Sequence, residues 1–169
     1  NIYICGTLTV SANDTWSLGA DQALRRYSGF AVAGKYSYTP FRGDMIEVKG
    51  GTLTLSNITI EGRHDADQGF TANGSIIKVN GGKVAMNAGT TLANNTTTGN
   101  GGAVNIAAGS FGMFRGSIVN TQAAKGDAIY QNDLLTISED VEKGWRAIST
   151  SPGKGTPGDQ QSFISGVYI

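Results

Sequence analysis

Three stretches decide how this chain folds: GDMIEVKGGTLTLSNITI (residues 43–60), GSIIKVNGGKVAMNAGTTL (residues 74–92) and GGAVNIAAGSFGMFRGSIV (residues 101–119). Counted from the glycine that opens each, the apolar residues coincide. Ile46, Ile77 and Val104 share one column and Val48, Val79 and Ile106 share another two residues on, which is the period of a strand with one buried face. After a Gly-rich corner come Leu53, Val84 and Phe111, then Leu55, Met86 and Met113. A third short strand follows, carrying Ile58 and Ile60, then Leu92, then Ile118. The interval between copies changes only in polar segments after the third strand, where loops absorb length at little cost.

Working outward, IYICGTLTV at the start offers Ile2, Ile4, Leu8 and Val10 to the four inward columns with one residue deleted at the corner. GDAIYQNDLLTI from Gly126 offers Ile129, Leu135 and Ile137. About five units of three short strands each are the signature of stacking, in which one unit cannot bury its apolar face alone. The sequence therefore predicts an all-β fold, a short right-handed parallel β-helix (solenoid) of about five coils, as a single domain over 1–169. Gly50–Gly51 and Gly81–Gly82 stand where the backbone must bend sharply. The Asn-Gly pairs at Asn73, Asn80 and Asn100 fall at unit boundaries or corners and not between hairpin strands. Val79 and Ile106 are expected to point inward, and Asn95 and Thr97 to lie in solvent-facing turns. Asn94 and Asn120 follow the third strand at equal offsets, so they form either a short ladder or two ordinary turn asparagines.

Residues 14–42 interrupt the repeat and read as an N-terminal insertion or cap, with Trp16, Leu18, Leu24 and Phe30 folding over the open end to block edge pairing. Residues 149–161 read as a loop or linker, before SFISGVYI supplies one more strand to close the last coil.

Composition fits this reading and narrows the function. Lys plus Arg equals Asp plus Glu at 13 each, so no basic field invites nucleic acid or an anionic membrane. No long apolar run predicts membrane insertion. Glycine, at 25 of 169 residues, is about twice its usual share, but recurring aliphatics argue against collagen or disorder. The lone Cys5 excludes an internal disulfide and is expected to face outward or into a turn. With one histidine, His64, no Cys/His metal spacing exists, and neither metal nor cofactor is expected.

These residues resemble the polymorphic repeats of adhesin-like bacterial surface proteins of the pectate-lyase-like superfamily, whose copies read approximately GGxIxVxxGxxTLxxxxIxxNxA. GGAVNIAAGSFGMFRGSIVN matches most closely, and the resemblance covers residues 1 to about 140. It implies a parallel β-helix at an extracellular bacterial cell surface, as a fragment of a larger anchored or secreted protein. It does not choose among lyases, glycosidases, adhesins and passive stalks.

Two groups of residues are candidates for ligand binding. One is the insertion, where Arg25, Arg26, Tyr36 and Tyr38 concentrate the residue types that anchor binding surfaces; the cap is the competing role for that segment. The other is EGRHDADQG (residues 61–69), holding Arg63, His64, Asp65 and Asp67. Asp65 and Asp67 could reach a calcium ion, as a lyase would require, but charged residues also gather in long loops because water solvates them. The expected function is a non-catalytic binding module for a host protein (immunoglobulin or matrix protein) or a glycan such as mucin, monomeric as an isolated domain. A passive stalk segment is the alternative, followed by a carbohydrate-active lyase or hydrolase.

Overall fold

The structure is a computed structural model of the full chain, and it describes residues 1–19, 21–29, 39–64 and 67–131, with two further short strands at 146–147 and 167–168. Among the described residues the secondary structure is all strand, and every pairing up to residue 131 is parallel. The strands are β1 (Ile2–Ile4), β2 (Leu8–Val10), β3 (Asp14–Trp16), β4 (Ala23–Arg26), β5 (Ile46–Val48), β6 (Thr52–Leu55), β7 (Thr59–Glu61), β8 (Ile77–Met86), β9 (Thr91–Thr96), β10 (Val104–Met113), β11 (Ser117–Gln122) and β12 (Ile129–Gln131). Sheet A runs β1-β4-β7-β9-β11. Sheet B runs β12-β10-β8-β5-β2, with β6 beside β8 and β3 beside β6. The chain thus visits the two sheets in turn, one repeat adding one strand to A and one or two to B.

The registers reproduce the sequence columns. Leu8, Ile46, Ile77, Val104 and Ile129 align across sheet B, as do Val10, Val48, Val79 and Ile106. Trp16, Leu55, Met86 and Met113 form a third row. Leu24, Ile60, Leu92 and Ile118 form a fourth across sheet A. Nearly all of these side chains are buried in one continuous core, with Trp16 and Phe111 partly buried against it. At the corners Gly51 has φ +65°, and a Cβ there would stand 2.2 Å from the Ala12 carbonyl carbon. The corner therefore needs glycine both for its left-handed backbone and for the close pass of the preceding turn.

The structure corrects several expectations. Ile2 and Ile4 pair with Leu24 and Arg26 in sheet A, while Leu8 and Val10 take the Ile46 and Val48 columns. The turn at Cys5, exposed as expected, therefore joins one sheet to the other and is not the Gly-Gly corner. The segment expected to cap the end instead supplies strands: Trp16 pairs with Leu55 and Leu24 with Ile60. Phe30, Tyr36 and Tyr38 lie outside the described residues. Finally, Asn95 and Thr97 are buried, Asn95 fully, because the third strand of its repeat runs on to Thr96. At the C-terminus Val167–Tyr168 (β14) pairs antiparallel with Arg146–Ala147 (β13) in a separate sheet, so it does not extend the parallel rows. Residues 149–161, Leu135 and Ile137 lie outside the described residues.

Candidate functional site

Strands β4 and β7 are parallel neighbours in sheet A, so the chain leaves both at the same edge of the molecule. The connections that follow, residues 27–45 and 62–76, are the two longest between strands of the parallel rows; those after β9 and β11 are short. Two candidate segments far apart in sequence are thereby brought together. Arg25 pairs with Glu61 through Nε and Oε2, and the His64 amide donates to Ser28 Oγ at 3.3 Å. Burial is the largest single influence and lowers the Arg25 pKa, but the hydrogen bond and the charge of Glu61, joined by those of Tyr3, together outweigh it and hold the guanidinium above its ordinary value.

The other side chains divide by what they touch. Arg63 is buried, donating from Nη1 to Thr96 Oγ1 at 2.9 Å and from Nη2 to Gln68 Oε1 at 2.8 Å. It ties the second loop to β9. Arg42, which the sequence did not single out, lies exposed on the first loop with its guanidinium 4.7 Å from the Phe70 ring centroid, and it donates to the Thr71 carbonyl. That contact ties the two loops to each other. His64 and Asp67 are half-buried on the second loop, where the Asp67 amide donates to the His64 carbonyl at 2.9 Å. Asp65 lies outside the described residues, and among those described no three His, Cys, Asp or Glu residues are grouped to hold a metal ion.

Arg26 occupies a different position from the surface expected of it. It is 0% exposed, and its guanidinium donates to the carbonyls of Gly43, Gly74 (3.3 Å) and Ser75 (3.1 Å), with the Phe41 ring 5.7 Å away. Burial pushes its pKa down to about 10, partly opposed by Asp44. Asn95 repeats the device one strand pair further on, donating from Nδ2 to Gly74 O at 3.2 Å and to Gly102 O at 2.7 Å. Both side chains donate to carbonyls at the start of the repeats, most of them buried. They set the positions from which the loops spring.

The ladder is present. Asn94 and Asn120 have φ of 55° and 51°, and Asn120 Nδ2 donates to Asn94 Oδ1 at 2.6 Å. Asn94 Nδ2 in turn donates to Glu61 Oε1 at 3.2 Å, so a polar row joins β4, β7, β9 and β11 at the root of the loops. A separate open depression of about 410 Å³ on sheet B is lined by Asn13, Asp14, Thr15, Thr52 and Thr54. No helix among the described residues is long and apolar enough to cross a membrane. No family model, curated protein or solved structure matches the chain.

Proposed function

We propose that the chain is a short right-handed parallel β-helix acting as a non-catalytic, extracellular binding module of a bacterial surface protein. It recognises a host protein or a glycan through a platform whose described parts are residues 27–29 and 39–45 of one connection and 62–64 and 67–76 of the other. The observation that carries this reading is the convergence of the two longest loops on adjacent strands, fixed at their base by Arg25–Glu61 and to one another by Arg42 on Phe70. Loops held by a rigid sheet are the usual place for recognition, and an arginine fixed on an aromatic ring is a pre-organised anchor. A passive stalk has no use for such extensions on two successive repeats only.

The test is a screen of the isolated chain against immobilised glycans, serum proteins and matrix proteins, repeated with Arg42→Ala and with Asp65→Ala/Asp67→Ala. Saturable binding weakened roughly tenfold or more by Arg42→Ala, the size of a modest anchor of about 1.4 kcal/mol, supports the platform. Binding should survive the double aspartate substitution. Calcium-dependent release of unsaturated or reducing ends from polysaccharides, abolished by that substitution, would overturn the reading in favour of a lyase or hydrolase. Absence of binding to any of the three classes would leave the stalk as the better account.

A further inference from the structure

We propose that the platform takes an anionic ligand, an acidic glycan whose sulfate or carboxylate groups are held by Arg42. This rests on the reading of the two connections as a binding platform and adds the charge of what they bind. Its carrier is a pattern among the arginines. Arg26, Arg42 and Arg63 form no ion pair with any described residue. Their hydrogen bonds go to neutral oxygens: Arg26 to the carbonyls of Gly43, Gly74 and Ser75, Arg42 to that of Thr71, and Arg63 to Thr96 Oγ1 and Gln68 Oε1. The Nε of Arg26 and that of Arg63 are buried with no hydrogen-bond partner, so neither charge is fully compensated even by dipoles. The nearby carboxylates are engaged elsewhere. Glu61 pairs with Arg25, and Asp44, the acid that faces Arg26, accepts from the Ser75 amide at 2.8 Å and stands 3.9 Å from Lys78 Nζ. Asp67 alone is left to oppose three guanidiniums, and the stretches outside the described residues add one charge of each sign, Lys35 and Asp65. In a chain whose charges cancel overall, this edge is therefore positive.

Arg42 is the residue placed to make the contact. It is exposed, held over the Phe70 ring at 4.7 Å, and anchored through Nη1 to the Thr71 carbonyl. Nε and Nη2 remain as the side-on fork that fits two oxygens of one anion. The buried charge lies close behind. Arg26 is bonded to Gly43, the neighbour of Arg42 in the chain, and to Gly74, whose amide donates to the Arg42 carbonyl at 3.0 Å. Little water screens a buried guanidinium, so its field adds to that of Arg42. The rest of the surface selects a glycan over a protein. A protein partner draws its affinity from an apolar, aromatic centre. The exposed residues of the described platform are Gly29, Thr39, Arg42, Gln68, Gly69 and Asn73, while Tyr27 and Phe70 are buried. Hydroxyl, amide and guanidinium groups match the hydroxyls and anionic groups of an acidic saccharide.

Titration calorimetry of the 169-residue chain with heparin, hyaluronan and neutral dextran, at about 50 and about 500 mM NaCl, tests the proposal. The chain should bind heparin, hyaluronan or both but not dextran, and should lose about tenfold or more in affinity across that salt range. Heparin alone assigns sulfate as the recognised group; hyaluronan as well assigns the carboxylate. Arg42→Ala should weaken the binding about tenfold or more, and Arg42→Lys, which keeps the charge without the fork, by less. Asp67→Asn removes the one opposing carboxylate and should tighten it roughly twofold to fivefold, a gain that no loss of folding imitates. Equal binding of dextran, an affinity unmoved by salt or by Asp67→Asn, or a serum or matrix protein bound through Arg42 with no anionic glycan bound would overturn the charge assignment and leave the platform standing. Salt-sensitive binding indifferent to Arg42→Ala would overturn both.

Discussion

Asn95 and Arg26 approach the same atom from two sides, since both donate to the Gly74 carbonyl. Gly62 packs against Asn95, and a Cβ there would stand 2.4 Å from Asn95 Cβ and Oδ1. Only a residue without a side chain at 62 leaves room for the buried Asn95 amide. Asn95→Ala leaves the Gly102 carbonyl without its donor and should cost about 2 kcal/mol, and Asn95→Asp, which sets a carboxylate against two carbonyls in a buried site, about 3 kcal/mol or more. Urea denaturation measures both, and a loss below about 0.5 kcal/mol for Asn95→Asp would return the residue to a solvent-facing turn. A second polar residue behaves differently because water reaches it. Glu47 Oε1 accepts from Asn80 Nδ2 at 2.9 Å, and this bond, opposed by burial and helped by Lys49, holds its pKa below the ordinary 4.5. A depressed carboxylate pKa gives stability that is present above the ordinary value and lost as the pH falls through the lowered one. Asn80→Ala should move the Glu47 titration upward, towards 4.5, in an NMR pH series, and an unmoved midpoint would show that the hydrogen bond is not its cause.

Within β9 and β11, Asn94 and Asn120 hold left-handed backbone in the middle of a strand, a conformation asparagine tolerates better than other residues with a side chain. The two contributions can be separated. Asn120→Ala loses the bond to Asn94 and adds left-handed strain, together about 2 kcal/mol, whereas Asn120→Gly loses the bond alone, about 1 kcal/mol. Thermal unfolding should rank parent above Gly above Ala, and equal losses would mean that the backbone at 120 is not strained. The ladder was legible as one of two alternatives because Leu92 and Ile118 anchor it at equal offsets. The strands from Ile46 to Ile118 were legible for the same reason: aligned glycines fix the register of a period-two pattern, which otherwise slides by any even step. IYICGTLTV has no such anchor, so its four aliphatics fitted two registers equally well. Strand β4 was hidden because its outward residue is Arg25 and the residue following the inward Leu24 column is Arg26, a charge that no hydrophobic pattern assigns to an interior. Asn95 was hidden by its setting in NNTTTGN, where one buried asparagine looks like its solvated neighbours. Of the site, the two segments were legible from composition, but their contact at Arg25 and Glu61 depends on the register of β4 against β7.

At the scale of the molecule every strand pairing among residues 1–131 joins one repeat to the next, so stability is transmitted along the rows as a sum of neighbouring interfaces. Strand β8 is flanked on one side by β5 and β6 and on the other by β10, whereas β1, β2 and β3 each have a single neighbour. Opening of the edge strands removes few contacts, but opening of β8 breaks the rows in two. Amide exchange of the 169-residue chain should therefore show β8 and β9 opening only with the whole molecule and β1 to β3 opening locally. A buried charge separates the two regimes. Val79→Asp puts a carboxylate in the centre of the core with no route to water and should cost several kcal/mol, lowering protection in every strand. Val10→Asp, in the edge strand β2, can reach solvent when β2 lifts from β5, so its cost should appear as lost protection in β1 to β3 while β8 and β9 keep most of theirs. If Val10→Asp reduced protection uniformly across the sheets, the molecule would unfold as one cooperative block and the edge would be no more open than the centre.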